Sequence, residues 1–462
     1  MGIRLLRTRG GNVATGTATR ARRGRATDPA PGTSRRQRSN DRGEVRTPDA
    51  PRGVPATTAL RPLSRAGRVG PFQLRQLVLV ESALALVAVG LVMGGLWLVP
   101  TCVVAGILVL LAVIRRRGQA VQDWLGGVLA LRARRGASAP AGADTDPSLA
   151  PVGENVPGFR ASPYVDRNHR TVGMLGDGTF LTAVLRVEAS GSALRPVFGA
   201  RAFPLSVLGG ALEVDDIVVE SVQLVQQVRP APALHLPQQA VARLSYAPLQ
   251  ERTGAPALRL TWVAVKLDPE LCREAVEARG GGPEGAQRCL VRIADHLASR
   301  ITGAGFQATV MDQEELNSTV ATALCTNPRA AARAGRPDAA PERRTAETSR
   351  VWRCDDRWHT TYAIGRWPEL GRGATPLPRL VSLLTSVPAY ATTFSLTVRR
   401  GTRQGAMDVD GHVRVTGGSD NELVRVRRTL EEAARAAKVG LLRLDREQLP
   451  GVLATMPLGG AR

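Results

Sequence analysis

Residues Leu77–Ile114, LVLVESALALVAVGLVMGGLWLVPTCVVAGILVLLAVI, decide how the rest of the chain is read. The run is 38 residues long and carries one charged side chain, Glu81. A single straight helix of that length would measure about 57 Å, about twice a bilayer's hydrocarbon core of about 30 Å. The spacing therefore predicts a chain folded back at Gly94-Gly95, with Pro100 near the start of the return helix. This gives a transmembrane hairpin over 66–116, with spans of 72–93 and 96–114. Two helices with a tight turn satisfy every backbone polar group internally, as lipid requires.

The flanks set an orientation. Arg61, Arg65, Arg68 and Arg75 precede the first span, and Arg115, Arg116 and Arg117 follow the second. Basic side chains at span ends mark the cytoplasmic side, so both termini are expected in the cytoplasm of a bacterial cell with an inner-membrane, two-span anchor. The run starts too far from Met1 to read as a cleaved leader. Glu81 is the intramembrane polar residue, either snorkelling to the interface or pairing with an arginine of a neighbouring subunit.

The formal charge of +22 is unevenly spread. Residues 1–75 hold 17 Arg against 4 acids, and residues 115–135 hold 6 Arg against Asp123. A basic tail beside a membrane points to anionic lipid, at about 1 kcal/mol per charge near the surface. Arg115, Arg116 and Arg117 are the expected lipid-facing basic residues. Nucleic acid fits less well, since Phe72 is the one aromatic side chain in residues 1–75 and single strands need stacking platforms. The five cysteines are scattered without a CxxC pair, which reads as free thiols.

Residues 1–65 read as a disordered Arg-rich tail. Residues 117–136 have apolar positions at Val121, Trp124, Leu125, Val128, Leu129 and Leu131, a helical period suited to a juxtamembrane amphipathic helix or to a continuation of the second span. Residues 137–157 read as a linker. A mixed α/β cytoplasmic domain follows in two parts, 158–326 and 349–458, separated by a mobile polar loop at 327–348. In the first part, Thr171–Leu175 and Phe180–Val187 form a hairpin, Ala257–Leu267 a strand, and Ala286–Ile301 a helix with its stripe at Leu290, Ile293, Ala294 and Leu297. Asp312 caps a helix reaching Leu324. In the second, a hairpin is expected through Asp408–Thr416, its turn at Asp410-Gly411, before a helix over Ser419–Ala437.

Several enzyme classes fail on their residues. A P-loop needs Gly-Lys-Ser/Thr, but Lys266 follows Val265 and Lys438 follows Ala437. No histidine precedes a glutamate as HExxH requires, and no GxSxG is present. Asp408-Val409-Asp410 spells DxD, which holds a metal and a sugar nucleotide in many glycosyltransferases, so a membrane-tethered glycosyltransferase-like enzyme is the alternative. Cys354 and His359 are two ligands where zinc needs three or four. No cofactor or metal site is expected, and no small-molecule substrate.

The block Val351–Pro368, VWRCDDRWHTTYAIGRWP, contains three of the six tryptophans. Trp352, Trp358, His359, Thr360, Tyr362, Arg366, Trp367 and Pro368 resemble the Trp-rich strand of EccE, a core membrane component of actinobacterial type VII (ESX) secretion systems. The stretch from Ala257 through MDQEELNSTVATAL, and ATTFSLTVRR after the block, are similar to the same family. The resemblance implies a subunit without catalysis of its own, at the periphery of a complex with EccB, EccC and EccD types and driven by the EccC ATPase. Within the block, Trp352, Trp358, Arg366 and Trp367 are candidate partner contacts. The competing reading of these aromatics is core packing in a strand.

Overall fold

Among the described residues, thirteen strands, all but one pair antiparallel, make one sheet with helices on both faces. The computed structural model describes residues 60–62, 68–69, 72–95, 98–113, 115–116, 119–142, 145–189, 202–230, 240–241, 244–245, 258–368, 376–401 and 406–460. Most of the expected tail therefore lies outside the described residues, and those that are described belong to one compact unit.

The hairpin forms, but not as two spans. Helices α1 (Leu74–Met93) and α2 (Leu98–Val113) turn back at Gly94 and Gly95, whose φ of 67° and 55° are open to glycine. Ala83 and Ala105 are buried, and Gly90 lies against Thr101. Among the described residues, however, no helix is long and apolar enough to cross a membrane. Helix α1 carries Arg75 and Glu81, so its uncharged part, Ser82–Met93, is about 18 Å long and α2 extends about 24 Å, both short of the roughly 30 Å of hydrocarbon. The expected two-span transmembrane fold is thus corrected. The uncharged run is long in sequence because it includes the turn and the partial helix on either side of it.

Helix α3 (Val121–Ala137) follows, and then α4 (Ala150–Gly153). The sheet strands are β1 (Leu60–Pro62), β2 (Arg160–Val165), β3 (Thr171–Gly176), β4 (Leu181–Ala189), β5 (Ser221–Arg229), β6 (Leu258–Leu267), β7 (Phe306–Val310), β8 (Thr345–Glu347), β9 (Trp352–Cys354), β10 (Arg357–Arg366), β11 (Ala391–Arg400), β12 (Met407–Gly417) and β13 (Gly440–Arg443). Their order is β8-β9-β10-β12-β11-β5-β6-β4-β3-β2, with β7 on β4, β13 on β10 and β1 parallel to β12. Period-two alternation sorts side chains between two cores. In β6, Val263, Val265 and Leu267 join the larger cluster and Trp262 and Ala264 the smaller. The larger core is closed by α5 (Leu205–Gly209), α6 (Arg273–Ala278), α7 (Gly282–Gly303), α10 (Leu377–Thr385) and α11 (Asp420–Ala436); the smaller by α8 (Gln313–Leu324) and α12 (Gln448–Ala454). The expected polar loop at 327–348 instead holds α9 (Pro328–Ala334) and the edge strand β8.

The strand order is a palindrome because the chain repeats itself. Leu185 in β4 pairs with Val263 in β6 and Val310 in β7. Tyr362 in β10 likewise pairs with Val413 in β12 and Arg443 in β13. The buried stripe of α7, Leu290, Ile293, Leu297 and Ile301, has the same spacing as Leu423, Val426, Leu430 and Ala434 in α11. Each helix ends on a left-handed residue, Gly305 with φ 85° and Lys438 with φ 58°. At the centre β5 pairs with β11 through Leu224↔Leu396, Val225↔Ser395 and Gln226↔Phe394. The two halves are thus related by a pseudo-two-fold axis through Val225 and Ser395.

Candidate functional site

The Trp-rich block folds as β9 and β10, joined by a tight turn at Asp355 and Asp356. Trp352 is 1% exposed and packs against His359 with ring centroids 5.3 Å apart and planes tilted by 49°. The Nδ1 of His359 is 3.0 Å from Thr416 Oγ1. Burial, and then the charges of Arg414 and Arg357, hold this imidazole well below its usual range. Arg414 is itself fully buried, donating to Ala323 O at 2.5 Å and Thr393 Oγ1 at 3.3 Å, and burial lowers it to about 10. Trp358 and Trp367 are partly buried against the larger core. Arg366 is exposed at the end of β10. The four candidate contacts therefore do not form one patch: one is sealed inside, two are half-buried and one is in solvent.

Beside this block lies a cleft of about 930 Å³. Its walls include Arg229 from the end of β5, Arg357 from the start of β10, Tyr390 before β11, and Gly418, Glu422 and Arg425 at the start of α11. The Arg357 guanidinium stacks 3.9 Å from the Tyr390 ring centroid and that of Arg229 lies at 5.9 Å, a geometry that favours the cation over the ring face. Arg229 also donates to Thr322 O at 2.9 Å, and Arg357 meets Asp356 at 3.4 Å. Glu422 accepts from the Gly418 N–H at 2.8 Å, leaving a surface in which cations outnumber acids. The sequence reading missed Arg229, Tyr390 and Arg425. Their one signal was an arginine beside the apolar stripe of α11, because the rest converge from distant strands.

The remaining candidates are placed apart. Asp408 and Asp410 lie within β12, not in a hairpin turn: Asp410 faces Thr397 in register, and β11 connects to β12 before Met407. The expected Asp410-Gly411 turn is thus corrected. Gly411 is needed because the Trp367 ring covers it, Cη2 standing 2.7 Å from where a Cβ would be. Arg399 meets Asp410 at 2.6 Å, while burial raises the Asp410 carboxyl and Arg399 opposes that rise. The other acidic pairs are also engaged, Asp215 with Arg292, Asp216 with Arg279 and Asp355 with Arg344. Among the described residues no group of three or more His, Cys, Asp or Glu could hold a metal. Glu81 is exposed on α1. Arg115 and Arg116 form a two-residue ribbon with Gln119 and Ala120, and Arg117 lies outside the described residues.

Residues 255–364, from the approach to β6 through most of β10, match a known family described as "Putative type VII ESX secretion system translocon, EccE". The match is to EccE. It includes Trp352 and Trp358 and ends before Arg366 and Trp367. A comparison with curated proteins finds no match. The match spans 110 of the 462 residues, and over them the chain is similar to a type VII secretion translocon component.

Proposed function

We propose that this chain is a non-catalytic structural subunit of a type VII secretion membrane complex, supporting export driven by a separate ATPase subunit. Its partners on this reading are EccB-, EccC- and EccD-type subunits, with the sheet on the cytoplasmic side of the membrane. The observation that carries the reading is the EccE match over 255–364. The buried setting of Trp352 and His359 supports it, because the most distinctive residues of the matched stretch serve packing. The apolar side chains exposed on α1 and α2, among them Leu84, Leu91, Val92, Val99 and Ile107, supply a surface for apolar attachment. Arg115, Arg116 and Arg117, with the Arg-rich tail, supply the charge for anionic lipid.

The DxD reading receives less support, since Asp410 is engaged by Arg399. Solubilisation in mild detergent, followed by identification of co-purifying proteins, tests the proposal. The other secretion subunits should co-purify, and secretion should survive Asp408→Asn with Asp410→Asn but fail with Trp358→Ala or Trp367→Ala. Truncating a buried aromatic costs about 3–5 kcal/mol, so the half-buried Trp358 and Trp367 approach the lower end. Isolation without those subunits, or secretion lost in a well-folded double Asn variant, would overturn the reading.

A further inference from the structure

The duplicated fold treats equivalent places in its two halves differently. In the first half the chain leaves β6 at Leu267 and, before α7 begins at Gly282, makes a 3-10 turn at Pro269–Cys272 and then α6. That insertion lies on the N-terminal part of α7. Cys272, Ala275 and Val276 are buried, Val276 Cγ1 stands 3.2 Å from a Cβ placed on Gly285, and the Cys289 thiol reaches Ala275 O at 3.5 Å. In the second half the chain passes from Gly417 to Asp420 through Gly418 and Ser419 alone. Nothing there corresponds to α6.

The cleft stands at that place. By the helix equivalence, Glu422 takes the position of Cys289, Val426 that of Ile293 and Arg425 that of Arg292. Cys289 is covered by α6, whereas Glu422 and Val426 line the cleft. Arg292 meets Asp215 at 3.0 Å, whereas Arg425 is exposed and has no acidic partner among the described residues. Residues 231–257, which follow the cleft-lining Pro230, carry Arg243 and Arg252 against the single acid Glu251. In composition that segment is net basic.

We propose that the cleft is a docking site for a short acidic helical segment of a partner protein, seated on α11 as α6 is seated on α7. Its apolar face would lie on Pro230, Pro388 and Tyr390, and its carboxylates would meet Arg357 and Arg425. The inference rests on the duplication and the charge of the cleft, and is independent of the secretion reading.

The test uses the full-length chain and a labelled synthetic peptide with the sequence of Pro269–Gly281 carrying Arg273→Glu and Arg279→Glu. Fluorescence anisotropy at low salt should show saturable binding. Arg425→Glu, or Thr429→Trp to fill the cleft, should weaken it by about tenfold or more, as charge reversal and steric filling do at a small interface. Arg292→Glu, the same charge change on the covered helix, should leave binding unchanged, with all variants matched for thermal stability. No saturable binding, equal loss on Arg292→Glu, or equal binding of a scrambled peptide of the same composition would overturn the proposal. Displacement of the peptide by millimolar inorganic phosphate would do so as well, since it would mark a small-anion site. A photo-crosslink from position 429 to residues 231–257 of the same chain would likewise reject a partner as occupant.

Discussion

At Gly411 a single hydrogen in place of a side chain lets the Trp367 indole lie on the sheet, with Ile364 Cδ1 also 2.9 Å from the Cβ position. Gly411→Val should therefore cost about 1–3 kcal/mol by overpacking, read as a lowered denaturant midpoint. Two histidines give a pH dependence of known sign. Burial first, then Arg399, lowers His412 to about 4, and burial holds His359 well below 6.5. Both are neutral in the fold while the unfolded chain protonates near 6.5, so their contribution is complete above about pH 6.5 and is lost as pH falls toward 4. Asp410, whose carboxyl is raised, acts in the opposite direction. The measurement is thus a difference: His412→Leu should lose less thermal stability between pH 6.5 and 4 than the parent chain. Equal slopes would show that His412 is already solvated in the fold.

Among the elements, the helix starts carry the clearest local chemistry. Asp312 accepts from the Glu315 N–H at 2.9 Å and Ser419 from the Glu422 N–H at 3.3 Å, each satisfying an otherwise unpaired donor of the first turn. Asp312→Ala and Ser419→Ala should each cost about 1 kcal/mol, with the longer bond of Ser419 predicting the smaller loss in chemical denaturation. The edge strand β8 is protected differently. Glu154 accepts from the Arg344 and Thr345 N–H groups at 2.8 and 2.9 Å, and the Arg135 guanidinium donates to Glu347 O at 2.8 Å. These contacts occupy groups that an open edge would offer to another chain. Glu347, nearly buried, also receives Arg134 at 3.1 Å and the Leu449 N–H at 3.0 Å. Glu347→Ala should cost about 3 kcal/mol or more, because it leaves a partly buried guanidinium without its partner.

Across the whole molecule, the C-terminal segment ties the halves together. After α12 it crosses the central strands, where Ser221 Oγ donates to Gly459 O at 2.5 Å and the Gly459 N–H donates to Gln223 Oε1 at 2.8 Å. Met456 and Leu458 are buried in the smaller core. Ending the chain after Ala454 should therefore destabilise both halves together, giving one broadened unfolding transition at lower temperature. Loss confined to the second half in hydrogen exchange would show that the segment is peripheral.

The local periods of this chain are legible without coordinates. The stripe Leu290, Ile293 and Leu297, the cap at Asp312 and the glycine turn at Gly94-Gly95 each depend on neighbours within a few residues, and α7, α8 and the α1–α2 turn appear where those patterns stand. The Trp-rich block likewise carries its EccE resemblance in sequence alone. Helix length was not legible: an uncharged run counts the turn as span, and only the folded chain shows where α1 and α2 stop. The Asp410-Gly411 turn failed because the signal for a tight turn is also satisfied by a strand glycine placed under a distant tryptophan. The repeat was equally hidden. Val310–Leu316, VMDQEEL, and Arg443–Leu449, RLDREQL, share an Asp and a Leu at one spacing, but the rest of each half kept only its pattern of burial. Which strands adjoin, which half keeps its covering helix, and which arginines meet at one cleft depend on contacts between residues far apart in the chain, so the tertiary structure alone decides them.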